Sequence, residues 1–150
     1  MLLERYECKV NRNFHRYIFF SKGPKGIIRK RVVYQFFGTF DGKDHYNLSF
    51  GDYDEKTDTV NDLSISNNQD RDKILATVAF TAIEFINHVP ACRLFVKGST
   101  LSRTRLYQMA IAKYYHEINK IFKIQGFSEP EGWTDFTPGK NYLAFLIIPK

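Results

Sequence analysis

The sequence predicts an α+β fold: a mostly antiparallel sheet in the order ββββ-α-β-α-ββ with two helices packed on it, as one domain over residues 1–150. Three observations predict it. Up to Ser66, apolar residues alternate with polar ones between clusters of Gly, Pro, Asn and Asp. Apolar residues then recur twice at helical spacing, and short apolar runs follow each helical stretch.

From Cys8 to Phe20, Val10, Phe14, Ile18 and Phe20 alternate with Asn11, Asn13 and His15, the period of a half-buried strand. Ser21 to Gly26 holds two glycines and a proline, and Ile27 to Phe37 is rich in β-formers, so a hairpin with a basic tip is expected. Asp41-Gly42 marks a second turn, His45 to Tyr53 a third strand, Asp54 to Asp58 a third turn and Val60 to Ser66 a fourth strand. Asn67 to Asp70 then offers caps for a helix. In that helix Ile74, Leu75, Val78, Ala79, Ala82, Ile83 and Ile86 form an apolar face, and Lys73, Thr77, Thr81, Glu84 and His88 a narrow polar stripe. Pro90 ends the helix, and Cys92 to Lys97 reads as a central strand. A second helix starts near Ser99, Thr100 or Ser102 and runs to about Lys120, with Leu106, Tyr107, Ala110, Ile111, Tyr114, Ile118 and Ile121 facing the core. Phe122–Phe127 and Tyr142–Ile148 supply the last strands.

Composition bounds the function class. Hydrophobic residues are 43% and charged residues 25% of the chain, ordinary for a globular domain. Cys8 and Cys92 are 84 positions apart and read as reduced thiols, not as a disulfide framework. The charged start, Glu4-Arg5-Tyr6-Glu7, lacks a signal's apolar stretch, and no run is long enough for a membrane helix; the expected location is the cytoplasm, with no membrane partner. The +6 net charge is uneven: residues 1–40 hold nine Lys/Arg against two acids, 41–72 three against nine, and 73–150 ten against five. With 14 Phe, 9 Tyr and 1 Trp, the rings exceed what a small core needs, which points to some on the surface.

Three segments could carry chemistry. Gly98 to Arg105 joins a strand to a helix. The helix's free N–H groups, with Ser99, Thr100, Ser102, Arg103 and Arg105, suit an anion, although the hydroxyls could simply cap the helix and the arginines pair with the acidic middle segment. The second junction, with Asn67, Asn68, Asp70 and Arg71, adds Asp72; its carboxylates suit a base or a metal in a cleft, or a capped helix start. The third is the hairpin, where Arg12, Arg16, Lys22, Lys25, Arg29, Lys30 and Arg31 lie among Phe14, Tyr17, Phe19, Phe20, Tyr34, Phe36 and Phe37. Exposed rings there would stack on bases while the cations hold phosphates; buried rings would leave only a solvated basic face. His15, His45, His88 and His116 lie on separate elements without metal spacing, and no metal or cofactor is expected.

Over nearly its whole length the chain resembles an uncharacterised family of small bacterial proteins, a domain of unknown function. The resemblance rests on Ser21 to Gly26, Asn47 to Asp54, Ser66 to Lys73, Gly98-Ser99-Thr100 with Arg103 to Tyr107, and Asn141 to Phe145. It implies a single bacterial domain and no catalytic residue. The element order is also similar to the core of the GNAT acetyltransferases without their early helices. That likeness implies coenzyme A pyrophosphate at the start of the first helix, where Asn67 to Asp72 lacks the family's glycine-rich turn.

The expected function is therefore non-catalytic binding or regulation, with a phosphate-bearing partner, nucleic acid or nucleotide, engaged through a basic face that includes Arg103 and Arg105. The alternatives are an acyltransferase-like enzyme using the first-helix junction, and a protein-interaction module acting as a homodimer. A ligand site would show Arg71, Arg103 and Arg105 converging on one cleft.

Overall fold

The computed structural model describes residues 4–54, 59–61, 69–98 and 100–150. The strands are β1 (Lys9–Val10), β2 (Arg16–Gly23), β3 (Gly26–Phe40), β4 (Lys43–Asp54), β5 (Thr59–Asn61), β6 (Arg93–Val96), β7 (Phe122–Ser128), β8 (Gly132–Asp135) and β9 (Ala144–Pro149). The helices are α1 (Arg71–His88), α2 (Leu101–Lys113) and α3 (Tyr115–Ile118). The strands form one mostly antiparallel sheet in the order β1-β2-β3-β4-β6-β9-β7-β8, with β5 on β4. The expected α+β class holds. The only parallel pair among the described residues is β4 with β6, the two strands joined by the α1 crossover.

The chain divides into two compact units: Leu2–Gln35 with Ser49–Val89, and Phe36–Leu48 with Pro90–Lys150 and Met1. In the first unit, β2 and β3 pair from Arg16↔Val33 to Gly23↔Gly26, so Pro24 and Lys25 make a two-residue tip, as the Gly-Pro-Lys-Gly sequence requires. Tyr17, Phe19, Ser21, Val32 and Tyr34 turn toward α1 and are buried. Tyr34 stacks on Phe85 at 4.4 Å, and its hydroxyl bonds the Thr81 hydroxyl at 2.7 Å.

One expectation for this unit is corrected. The alternating stretch from Cys8 is not one strand, because Asn11 breaks it: its side-chain carbonyl accepts the N–H groups of His15 and Arg16, and Phe14 takes a left-handed φ of 60°. The polar stripe of α1 is narrow, as a helix buried against the sheet requires, and Thr77 and Thr81 within it are fully buried. Thr77 accepts the Tyr6 N–H at 2.9 Å and donates to the Lys73 carbonyl, so its own helix and the segment before β1 both reach it as hydrogen-bond partners. The fourth strand is present at Thr59–Asn61; the turn at 55–58 and residues 62–66 lie outside the described residues.

In the second unit, Asp41 and Gly42 form the expected turn between β3 and β4, both with positive φ (53° and 73°), the geometry a two-residue hairpin favours. β6 lies between β4 and β9, as expected of the Cys92–Lys97 run. β8 was not expected; Trp133 and Thr134 pair with Phe127 and Gly126 of β7 across the Pro130 turn. The expected second helix divides at Tyr114, whose φ of −110° leaves helical geometry, into α2 and the short α3. Its core face is also corrected: α2 buries Thr104 and Gln108, while Leu106 and Ile121 are exposed.

Candidate functional site

At the start of α2 the extended backbone of Thr100 makes it the N-cap, and its hydroxyl oxygen accepts the Arg103 N–H at 3.2 Å. Thr104 closes the turn, donating to the Thr100 carbonyl and accepting the Gly98 N–H at 3.1 Å. No acid stands in the first turn, so the helix's positive end meets no carboxylate of its own. Ser102 is exposed and Arg103 half-exposed; Ser99 lies outside the described residues. Arg105 is turned inward, its guanidinium donating to the Tyr142 carbonyl at 3.2 Å and the Gln108 side-chain oxygen at 3.4 Å. Gln108 reads the same segment as a backbone would, donating to the Lys140 carbonyl at 2.6 Å and accepting the Tyr142 N–H at 3.0 Å. Arg105 and Gln108 therefore hold the approach to β9, a role the sequence did not reveal.

At the α1 junction, Asp70 occupies the N-cap position but makes no side-chain cap. Its carboxylate instead accepts the Tyr6 hydroxyl at 2.6 Å and the buried Ser21 hydroxyl at 2.5 Å. Tyr6 in turn accepts the Lys22 N–H at 3.0 Å, and the Lys73 ammonium stands 4.3 Å from its ring centre. Burial, with the neighbouring Asp70 carboxylate, raises the Tyr6 pKa, so this hydroxyl is a donor and not a base at neutral pH. Arg71 and Asp72 are exposed, and Asn67 and Asn68 lie outside the described residues. Arg71 belongs to one compact unit, and Arg103 and Arg105 to the other.

The hairpin supplies the strongest concentration of cations. From Cys8 to Phe40 there are eight Lys/Arg and no acid. Its rings are divided: Tyr17, Phe19 and Tyr34 are core, Phe14 stacks on His88, and Phe20 carries the Arg29 guanidinium 5.4 Å above it. Side chains paired across strands share a face, and the face of Tyr17, Phe19 and Ser21 is the α1 face. Arg16 (opposite Val33), Lys22 (opposite Ile27), Arg29 (opposite Phe20) and Arg31 (opposite Ile18) therefore take the other face, and Lys9 of β1 joins them beside Ile18. Lys9, Arg16 and Lys22 are exposed there, with Arg12 and Lys25 exposed at the two ends. Arg31 is buried, and so is Lys30 on the α1 face, where it forms an ion pair with Asp52.

No group of three or more His, Cys, Asp or Glu among the described residues could hold a metal ion. Burial pushes the thiols of Cys8 and Cys92 up to about 11, opposite to the shift a nucleophile needs. His45 is buried and its Nδ1 donates to the Lys43 carbonyl at 2.9 Å, between the rings of Phe37 and Phe40. No helix among the described residues is long and apolar enough to cross a membrane.

Residues 2–150 match the model of a family described as a family of unknown function, DUF6934. No curated protein and no solved structure matches the chain.

Proposed function

The chain belongs to this family of unknown function, and from that premise we propose that it is a non-catalytic binding protein that engages a phosphate-bearing partner, nucleic acid or nucleotide, through a basic face. One observation carries this function: the strand register gathers Lys9, Arg16 and Lys22 on the face of β1, β2 and β3 opposite α1, in a stretch without a single acid. Cations so grouped attract phosphates at long range, and each one that meets a phosphate releases a counterion. The start of α2, with Thr100, Ser102 and Arg103, is the second place where a phosphate would find donors.

Titrating the full chain with a labelled oligonucleotide at several salt concentrations tests this. Affinity should fall steeply as salt rises, and the double variant Arg16→Glu/Lys22→Glu should flatten that slope by about 2, one for each lost contact. Absence of binding to both oligonucleotide and nucleotide at low salt overturns it. Coenzyme A in a parallel titration separates the rival: binding there, with no response to nucleic acid, favours an acyltransferase-like enzyme at the α1 junction.

A further inference from the structure

The second unit carries a row of aromatic rings on a sheet face that no expectation from the sequence assembled. Asn47 of β4 pairs with Phe95 of β6, Phe95 with Leu146 of β9, and Phe127 of β7 with both Ala144 of β9 and Trp133 of β8. Paired positions share a face, so Phe95, Phe127 and Trp133 stand on the same side. Phe37 and Phe40 extend the row from β3. In the order Phe40, Phe37, Phe95, Trp133, Phe127 the ring centres are 5.9, 6.0, 6.1 and 5.4 Å apart. Phe95 of β6 and Trp133 of β8 thus meet over the two strands between them, β9 and β7. The opposite face is the covered one, where Phe145 packs on Phe136 and Phe136 on Tyr115 of α3. Phe37 and Trp133 of this row are 47% and 41% exposed, and Phe40, whose ring meets Phe37, is 52% exposed.

We propose that this ledge is a stacking platform for single-stranded nucleic acid, an inference that rests on the phosphate-binding function above and adds the surface that reads the bases. Charge selects the occupant. Arg93 shares this face through its pairing with His45, and Lys43 and Lys123 reach it by strand alternation; Asp135, 3.6 Å from Lys123, is the one acid the same register brings there. The unit as a whole has ten Lys/Arg against six Asp/Glu. A second copy would bring the same cations against these, whereas a single strand offers both flat apolar bases for the rings and phosphates for the cations. A duplex hides its bases and could use only the cations.

Trp133 is the chain's one tryptophan, so its fluorescence reports the ledge directly. The full chain is titrated at low salt with an oligothymidylate, with a duplex of equal length and with an abasic deoxyribose-phosphate strand of equal length. The oligothymidylate should quench Trp133 and bind about tenfold or more tighter than the abasic strand. Phe37→Ala, at an exposed ring, should keep the native circular dichroism, weaken oligothymidylate binding about five- to tenfold and leave the abasic strand unaffected. Equal affinity for oligothymidylate and abasic strand, with unmoved Trp133 emission, overturns the ledge and leaves the phosphate-binding function standing. If none of the three polymers nor a nucleotide binds, both fall. A dimer in sedimentation that Phe37→Lys dissociates, with no quenching by oligothymidylate, also overturns the ledge.

Discussion

Lys30 is a costly side chain to hold in place, because the residue is only 4% exposed, on the α1 face of β3. Asp52 of β4 supplies the counter-charge, and the Phe50 ring lies 6.0 Å from the ammonium. Removing the carboxylate leaves a cation out of water with too little compensation. Asp52→Asn should therefore lower stability by about 2 kcal/mol, below the range for a fully buried pair because the Asp52 side chain is 23% exposed. The drop in urea midpoint measures it, and adding Lys30→Met should restore much of the loss. Lys30 also shows what the sequence hid. It stands among six other cations of the hairpin, and only alternation counted against the α1 face separates it from those in solvent, while Arg31 is buried on the opposite face beside them. Asp70 is similar: as an acid before a helix it reads as a cap, yet it binds hydroxyls from residues 49 and 64 positions away.

At the scale of elements, close approach between β7 and the segment entering β9 depends on a missing side chain. A Cβ on Gly126 would lie 2.2 Å from Tyr142 Cδ1, and Tyr142 is fully buried with its hydroxyl accepting the Thr137 N–H at 2.9 Å. The ring has nowhere to go. Gly126→Ala should destabilise by about 2–3 kcal/mol, read as a lowered urea midpoint, because overpacking there must move a fixed aromatic or a strand. Local signals served well where neighbours within four residues decide the outcome. Asp41-Gly42, the Pro24 tip, the Thr100 cap and the end of α1 before Pro90 were all legible for that reason. They failed at Asn11, where a side chain captures two backbone donors, and along α2, where Gln108 is buried by its bonds to Lys140 and Tyr142 rather than by apolarity.

At the scale of the whole molecule, several groups are held in their neutral form by burial. Burial raises Tyr6, Tyr17, Tyr46, Cys8 and Cys92, with Asp70, Glu84 and Asp44 adding to Tyr6, Tyr17 and Tyr46 respectively. Unfolded thiols and phenols ionise near pH 8.5 and 10, below their folded values, so the folded chain binds these protons more tightly. Their contribution is fully present below about pH 8 and is lost as pH rises toward 11, where the folded thiols titrate. Denaturant midpoints should accordingly fall steadily between about pH 8 and 11; an unchanged midpoint would contradict the burial of these groups. By itself the sequence determined the α+β class, the order of its main elements, its turns, its basic first third and its surplus of rings, because periodicity, turn chemistry and charge are written in adjacent residues. Only the tertiary structure decided which cations share a face, that Thr77, Thr81 and Asp70 serve the interior, and that Phe40, Phe37, Phe95, Trp133 and Phe127 form one row. Those depend on strand pairs up to 53 positions apart and on hydrogen bonds up to 71 positions apart, which leave no local trace.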